Sequence, residues 1–398
     1  MKKNKKVVLA FSGGLDTSYC AIHLAKEKGY EVITAAVNTG GFDEAEQKVL
    51  AQKAADLGIK DHVCIDVEQE FYQKGIKYLL FGNVLKNHTY PLSVSAERVF
   101  QAVAIAEYAK KVGADAIAHG STGAGNDQVR FDLIFNVLAP EMEIITPIRD
   151  MKLSREEEVT FLKSHGVEKE WKKAKYSINK GLWGTSVGGA ETLTSHQTLP
   201  EEAWPTKLVN GDELIVEVGF ENGEPVSING EKLNPVQAIK KLQEIAQPYG
   251  VGRDIHVGDT IIGIKGRVGF EAAAPMILIK AHQLLEKHVL GKWQLYWKDQ
   301  LGEWYGMLMH EGQFLDPVMR DIEAFLENTQ HKVTGKVFVK LESKHFELIG
   351  IESEFDLMQS KHGQYGEMNQ GWSGEDVKGF TKILANATLI QQSVQNND

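Results

Sequence analysis

Cysteine is scarce in this 398-residue chain, which has only Cys20 and Cys64 and no Cys-x-x-Cys pair. This scarcity excludes a disulfide framework and argues against a redox or zinc centre, so we expect both thiols to pack in the interior. Long apolar runs are also missing. The apolar stretch after the first lysines ends at Ser12, too early for the apolar core of a signal peptide. We therefore expect a cytoplasmic protein with no membrane partner.

Positive charge is in deficit as well. Lys and Arg number 44 against 54 Asp and Glu, which leaves a formal net charge of −10. A surface that coats nucleic acid needs the opposite sign, so we expect no nucleic-acid partner. The hydrophobic fraction of 42% and the charged fraction of 25% are those of an ordinary globular protein. The length predicts two or three domains.

The most informative segment that is present is a glycine turn near the N-terminus. It follows an apolar, strand-like run at residues 7–9 and opens an apolar-periodic helix. Glycines let the backbone approach an anion, and the amides and hydroxyls at a helix N-terminus donate to it. The pattern predicts a phosphate cradle made of Ala10, Phe11, Ser12, Gly13, Gly14, Leu15, Asp16, Thr17 and Ser18. A capped turn between a strand and a helix is the plainer alternative.

The kind of phosphate chemistry follows from the residues at this turn. The Lys of the Walker pattern and the three-glycine spacing of dinucleotide-binding folds are both absent from it. The string Ser-Gly-Gly-x-Asp-[Ser/Thr] resembles instead the pyrophosphate-loop motif of ATP pyrophosphatases, in which the α-phosphorus of ATP is attacked and pyrophosphate leaves. The resemblance implies adenylation rather than transfer of the γ-phosphoryl group.

The first part of the chain alternates strand-like and helical patterns up to about residue 165. The strand-like runs lie at 7–10, 32–37, 63–67, 116–118 and 144–146, with helical patterns that include 45–57 and 98–112. This alternation predicts an α/β fold, a doubly wound parallel sheet that binds ligands at the carboxyl ends of its strands. We expect an ATP-binding domain at 1–168, an α+β synthetase and oligomerisation domain at 169–365, and a C-terminal helix and tail at 366–398.

The second part carries different signals. Asn210-Gly211-Asp212 and Asn229-Gly230 are turn sequences that predict hairpins. Helices are expected at 235–245 and 276–290, strands at 336–341 and 347–351, and a glycine-rich stretch separates the two helices at 250–269. The last segment, 374–391, is amphipathic and needs a partner over its apolar face, either another domain or another subunit.

A second polar cluster follows the strand at 116–118. It runs from His119 to Asp132 and contains three glycines close to Asn126, Asp127 and Arg130. Thr122 and Asn126 suit one carboxylate, Asp127 suits an ammonium, and Arg130 suits a second carboxylate in bidentate fashion. Capping of the following helix would explain Asn126 or Asp127 alone, but it does not explain the whole set.

Together with a third motif, these two segments make the chain resemble the argininosuccinate synthase family. The N-terminal loop, the string at 119–132 and the run Tyr-Ser-Ile-Asn-Lys-Gly-Leu-Trp-Gly-Thr-Ser at 176–186 occur in the family's order and at comparable spacing. The similarity extends over nearly the whole chain. It implies an AMP-forming carbon–nitrogen ligase of arginine biosynthesis that takes ATP, citrulline and aspartate as substrates and works as a homotetramer.

The resemblance also implies roles for individual residues. ATP would be held by residues 10–18 with Val37 and Gly120, and aspartate by Thr122, Asn126 and Asp127. Ser12 and Asp16 would position the triphosphate and its Mg²⁺, with Asp16 binding the metal directly or through water. Citrulline would be held by Tyr90, Ser95, Asn126, Arg130, Ser177 and Ser186.

The chain departs from the family pattern at several positions. Val94 and Glu97 differ within the segment around Ser95, and Ala124 stands where the family has Lys. A citrulline-binding Glu and Tyr of the family align with Gly258 and Phe270. Asp259 lies one residue away, so we include Asp259 and Phe270 among the expected citrulline contacts.

Two alternatives stay open at this point. One is another adenylating ligase of the pyrophosphate-loop group, although the nucleophilic or paired cysteines of the glutamine- and sulfur-dependent enzymes are not visible. The other is a nucleotide-sensing or assembly protein that binds ATP without turnover, which the changes at Gly258 and Phe270 would favour.

Overall fold

The first half of the chain forms a five-stranded parallel sheet in the order β3-β2-β1-β4-β5. The computed structural model describes residues 4–171, 175–209, 211–363, 365–368 and 370–395. The central strands are apolar because helices cover both faces of the sheet. The strands are β1 (Lys6–Ala10), β2 (Glu31–Asn38), β3 (Asp61–Asp66), β4 (Ala116–Ala118) and β5 (Glu143–Ile145).

Helices connect these strands, which confirms the doubly wound α/β prediction. Two of them begin with a reciprocal capping box, Asp43 with Glu46 and Ser154 with Glu157. The helices of this half are α1 (Leu15–Ile22), α2 (Glu44–Asp56), α3 (Glu68–Phe71), α4 (Lys77–Phe81), α5 (Ser93–Lys111), α6 (Asp127–Leu138), α7 (Pro147–Met151) and α8 (Arg155–Ser164).

The second half contains two antiparallel sheets. One has the strand order β10-β9-β8-β13-β14 and the other β11-β12-β7-β6. The strands are β6 (Ser177–Gly181), β7 (Gly184–Gly188), β8 (Leu214–Glu221), β9 (Glu224–Ile228), β10 (Glu231–Lys232), β11 (Arg253–Asp259), β12 (Lys265–Glu271), β13 (Gly335–Glu342) and β14 (His345–Glu352). The helices are α9 (Pro235–Ala246), α10 (Ala273–Val289), α11 (Lys292–His310), α12 (Pro317–Thr329) and α13 (Gly374–Gln395).

The turns, hairpins and helices of this half match the sequence patterns only in part. The predicted hairpin at Asn229-Gly230 is present between β9 and β10, and both residues have positive φ angles. Asn210 of the other predicted turn lies outside the described residues. The glycine-rich stretch at 250–269 forms most of the β11–β12 hairpin. Helices α11 and α12 follow α10 without having been recognised in the sequence.

One large buried cluster joins the two halves. It contains Ile33 and Phe100 from the first half together with Ile277 and Leu326 from the second. By contrast, the side chains of α13 are all exposed, including several large apolar ones. Among the described residues, no helix combines the length and the apolar character needed to cross a membrane.

Candidate active site

A cleft of about 1160 Å³ opens at the carboxyl ends of β1, β2 and β4. Its other wall comes from β6, β7, β11, β12 and the last residue of α11, so both halves of the chain contribute to it. Most of the predicted site residues line this one cleft. They are Ala10, Phe11, Ser12, Gly14, Leu15, Asp16, Thr17, Val37, Tyr90, Ser95, Gly120, Thr122, Asn126, Asp127, Arg130, Ser177, Ser186 and Asp259.

The glycine turn forms a compact loop at the start of α1. Gly13 has a φ of +67°, a conformation that side-chain-bearing residues rarely adopt. Ser12 Oγ lies 3.2 Å from Thr17 Oγ1, and the Ser18 hydroxyl donates to the Gly14 carbonyl at 2.7 Å. Gly13 and Ser18 do not themselves line the cleft. Ser18 instead ties the loop to the first turn of the helix.

Asp16 lies in that first turn and faces a second acid. Burial raises the pKa of Glu158 to about 7, and the neighbouring Asp16, which is hydrogen-bonded to it, adds to the rise. Glu158 is 4% exposed and was not recognised in the sequence, because its helix α8 lies more than 100 residues along the chain. The pair links the first turn of α1 to α8.

The described residues contain no group of three or more His, Cys, Asp or Glu side chains that could hold a metal ion. Asp16 is the one carboxylate within the loop at 10–18. In nucleotide sites Mg²⁺ is commonly held by one or two carboxylates together with phosphates and water. The loop therefore fits a Mg²⁺ ion that is carried by ATP rather than one bound by the protein alone.

His119 anchors the second polar loop. Its Nδ1 accepts from the Ser121 amide at 3.2 Å, and Nε2 lies 2.9 Å from Asp132 Oδ1. Arg149 also donates to Asp132, at 2.6 Å. These contacts hold the loop that carries Gly120 and Thr122, and Gly120 lies next to Asp16 and Thr17.

Asp127 is shared between two arginines at the start of α6. Arg98 Nε donates to its Oδ2 and Arg130 Nη1 donates to its Oδ1, both at 3.1 Å. Burial by itself would raise the pKa of Asp127, but the two guanidinium groups outweigh it and hold that pKa below its usual value. Asp127 is therefore a carboxylate at neutral pH.

Arg130 is also held by the end of α11. Its Nε donates to the His310 carbonyl at 2.9 Å, and its Nη2 lies 3.3 Å from His310 Nδ1. The Ser95 hydroxyl lies 3.1 Å from the same Nδ1. Burial, reinforced by the charges of Arg130 and Lys86, lowers the pKa of His310 to about 2. No sequence signal pointed to His310, which lies 180 residues from Arg130.

The β6–β7 hairpin brings the third motif to the cleft. Arg98 Nη2 donates to Asn179 Oδ1 at 3.0 Å, and the Asn179 amide lies 3.5 Å from Ser186 Oγ. Ser177 and Ser186 both line the cleft from this hairpin. Arg98 and Asn179 were not among the predicted site residues, although they join the two halves at the site.

Glu97 is a further cleft residue that the predicted set omitted. It is 3% exposed, and its Oε1 accepts from the Thr39 hydroxyl at 2.7 Å and the Gln101 amide at 2.9 Å. Its Oε2 is buried without a hydrogen-bond partner. Burial raises the pKa of Glu97 to about 7, although Arg98 and Thr39 oppose the rise. Its difference from the family pattern was the only sequence signal.

The β11–β12 hairpin borders the part of the cleft that contains Asn126 and Arg130. The Ile261 amide donates to Asn126 Oδ1 at 2.8 Å. The Asp259 carboxylate forms an ion pair with Lys265 at 2.6 Å. Phe270 is fully buried with its ring 5.4 Å from that of Tyr90, so it supports Tyr90 from behind and does not line the cleft.

Two family models divide the chain between them. Residues 6–168 match the Arginosuccinate synthase N-terminal HUP domain, and residues 176–390 match the Arginosuccinate synthase C-terminal domain. The chain belongs to the argininosuccinate synthase family. Curated argininosuccinate synthases with high similarity include that of Methanocaldococcus jannaschii, 41% identical over 90% of this chain and 91% of the relative. Those of Dictyoglomus thermophilum and Pyrococcus furiosus are 37% and 36% identical, over 96% and 97% of this chain and 96% and 94% of the relatives.

Proposed function

We propose that this chain joins citrulline to aspartate at the expense of ATP, which yields argininosuccinate, AMP and pyrophosphate and serves arginine biosynthesis. The observation that carries the proposal is the shared cleft. One end holds a pyrophosphate-type loop, and the other holds the Asp127–Arg130 cluster and the hydroxyls of β6 and β7. Membership of the argininosuccinate synthase family supports the same reaction.

The ATP end uses the loop at 10–18, with Val37 and Gly120 beside it. Loop amides and the Ser12 and Thr17 hydroxyls would contact the phosphates. Mg²⁺, which Asp16 would hold directly or through water, would neutralise phosphate charge when bound with ATP. Ser12 and Asp16 are thus positioning residues for the triphosphate.

The amino-acid end has separate groups for two substrates. Thr122, Asn126 and Asp127 would hold aspartate, with the ionised Asp127 carboxylate facing its ammonium. Arg130 has donors left over, because the guanidinium carries five N–H groups and three are used. We assign those donors to the carboxylate of citrulline. Tyr90, Ser95, Asn126, Ser177 and Ser186 would complete the citrulline contacts, and we include Asp259, which lines the same cleft.

The reaction then has two displacement steps. The ureido oxygen of citrulline bonds to the α-phosphorus while the bond to pyrophosphate breaks, which gives a citrullyl adenylate. The aspartate amine next bonds to the ureido carbon, AMP leaves, and the amine gives up a proton. A neutral ureido oxygen is a poor nucleophile, so we expect positioning and charge neutralisation to supply the rate. Asp127 orients the amine and, being held by two arginines, is a weak base.

Pyrophosphate release by the purified full chain tests this proposal. The assay contains Mg-ATP with citrulline alone, aspartate alone, or both. We expect release to require citrulline, and argininosuccinate to appear only when aspartate is added. ATP binding without release under any of these conditions would favour the nucleotide-sensing alternative, which the complete amino-acid cluster currently opposes.

Three further features belong to the proposal rather than to the observations. We propose a homotetramer in which the exposed apolar side of α13 lies against another subunit. We also propose that residues 1–168, 169–365 and 366–398 act as the ATP-binding, synthetase and tail units. A cytoplasmic location remains a prediction.

A further inference from the structure

One face of helix α2 packs against the loop at 10–18. Glu46, Leu50 and Lys53 lie on that face, since residues three or four apart share one side of a helix. Glu46 lines the cleft, and the other two cover Gly13. A Cβ atom added to Gly13 would lie 3.1 Å from Leu50 Cδ2, 2.7 Å from Lys53 Cδ and 3.4 Å from Lys53 Nζ. The ammonium group of Lys53 therefore lies beside the glycine turn.

Lys53 has no negative partner within the part of the chain that the structure describes. Its Nζ forms neither an ion pair nor a hydrogen bond there. Burial lowers the pKa of Lys53, and the charge of Lys169 adds to the fall. Lys169 is exposed, with its Nζ 4.8 Å from the centre of the Trp171 ring. Neighbouring cations that lack a counter-charge favour an anionic ligand. The space beside Gly13 therefore suits a negatively charged group.

The loop at 10–18 has no cation of its own. It contains no Lys or Arg, and Ala124 in the neighbouring loop stands where the family has Lys. The arginines that line the cleft already donate to Asp127 or to backbone carbonyls, and they are Arg98, Arg130 and Arg267. Enzymes that act on phosphoryl groups place lysine or arginine against the charge that develops there. Lys53 fits that role at this loop.

Building on the proposed function, we propose that Lys53 binds the β- and γ-phosphates of ATP and stays with them as pyrophosphate leaves. Lysine binds phosphate as a compact point charge. Its long stem is flexible, so the ammonium group beside Gly13 can follow the leaving group without a change in the backbone.

Lys53 acts in the first of the two displacement steps. The bond between the α-phosphorus and the bridging oxygen breaks, and its electron pair stays on pyrophosphate. The ammonium group keeps its proton and offsets the charge that pyrophosphate gains, which stabilises the transition state. Lys53 contacts neither amino-acid substrate, so its role is confined to the phosphate end of the cleft.

Product inhibition of the full chain tests this role. Lys53→Met removes the charge and keeps an apolar stem over Gly13, whereas Lys53→Arg keeps the charge. Lys48→Met is the matched control, because Lys48 is an exposed lysine on the same helix. We expect Lys53→Met to raise the Ki for pyrophosphate and the KM for Mg-ATP about tenfold or more. Lys53→Arg and Lys48→Met should stay within about threefold of the parent chain.

Inhibition by AMP separates a charge effect from a disturbed loop. AMP lacks the β- and γ-phosphates, so its Ki should be the same in Lys53→Met and in the parent chain. An unchanged Ki for pyrophosphate in Lys53→Met would overturn the proposed role. Equal rises in the Ki values for pyrophosphate and AMP would also overturn it, because they would show that Lys53 only supports the shape of the loop.

Calorimetric titration of the full chain with magnesium pyrophosphate distinguishes the role of Lys53 from the proposed function. We expect about tenfold weaker binding to Lys53→Met than to the parent chain. Lys180→Met is compared as well, because Lys180 lines the cleft from β6. Weaker binding to that variant alone would overturn the role of Lys53. Binding that depends on Lys53 in a chain that forms no argininosuccinate would support the role and overturn the proposed function. Argininosuccinate formation with no difference between Lys53→Met and the parent chain would do the reverse.

Discussion

Arg98 and Asp127 join the two helices that border the amino-acid end of the cleft, through a hydrogen bond of 3.1 Å from Nε to Oδ2. Arg98 belongs to α5 and Asp127 is the first residue of α6. The same arginine reaches Asn179 of the β6–β7 hairpin at 3.0 Å. One side chain thus links the aspartate-binding candidate to the second half of the chain.

Replacing Asp127 with Asn should weaken aspartate binding. The substitution removes the negative charge that would face the substrate ammonium, while the Asn oxygen can still accept from one of Arg98 and Arg130, which also keep their contacts with Asn179 and His310. We expect the KM for aspartate to rise about tenfold or more, since a hydrogen bond to a charged group contributes about 1.5–3 kcal/mol. Initial rates at saturating ATP and citrulline measure it. Asp321→Asn, on the exposed side of α12, is the control. An unchanged aspartate KM would contradict the assignment.

Gly13→Ala should reduce both stability and ATP use. A side chain at φ +67° costs about 1–2 kcal/mol, and its Cβ would lie 2.7 Å from the Lys53 side chain. Gly166→Ala is the matched control, because Gly166 also has a positive φ, +80°, and nothing lies within 4 Å of the added Cβ. Both variants should lower the free energy of unfolding, and Gly13→Ala should do so by at least as much as Gly166→Ala because its Cβ also meets Lys53. Only Gly13→Ala should raise the KM for ATP, and equal ATP kinetics in the two would argue against the phosphate-loop role.

The apolar side of α13 should decide the oligomeric state. Phe380 and Ile383 are 63% and 77% exposed in the single chain, and covering such side chains favours association. We expect a tetramer by light scattering, and a smaller species when both are replaced by Asp. Ala385→Asp lies on the opposite side of the helix by its 3.6-residue period and should stay tetrameric. Identical masses for all three proteins would remove α13 from the interface.

Local patterns predicted the first half of the fold well. The apolar run before Ser12 and the glycine turn after it identify a strand, a loop and a helix, because each depends on neighbours in sequence. The shape of the turn at 10–18 could be predicted for the same reason, whereas its role in phosphate binding stays a prediction. Ser177 and Ser186 entered the predicted site only through family resemblance, since nothing local to a short hairpin indicates which cleft it faces.

The contacts that could not be predicted are long-range. His310 lies beside Arg130 only because α11 ends against α6. The periodicity of a sequence does not predict a contact between two distant helices. Glu158 reaches Asp16 by the packing of α8 on α1. Phe270 was expected in the cleft because it aligns with a citrulline-binding Tyr of the family, yet its ring is fully buried behind Tyr90. Tertiary packing, rather than residue type, decides each of these positions.

The buried Glu97 should make stability depend on pH. Burial raises its pKa to about 7 from 4.5, so the folded chain keeps a proton that the unfolded chain releases at lower pH. The free energy of unfolding therefore falls as pH rises from about 4.5 to 7. The Glu97→Gln side chain does not titrate, so the variant does not lose stability in this way. The difference in free energy of unfolding, variant minus parent chain, should therefore increase by about 1–3 kcal/mol between pH 5 and pH 8.

Urea titrations at several pH values measure this difference in free energy of unfolding. Glu107→Gln, exposed on the same helix, controls for the lost charge. A difference that stays flat or shrinks as pH rises would mean that Glu97 is ionised in the folded chain at low pH.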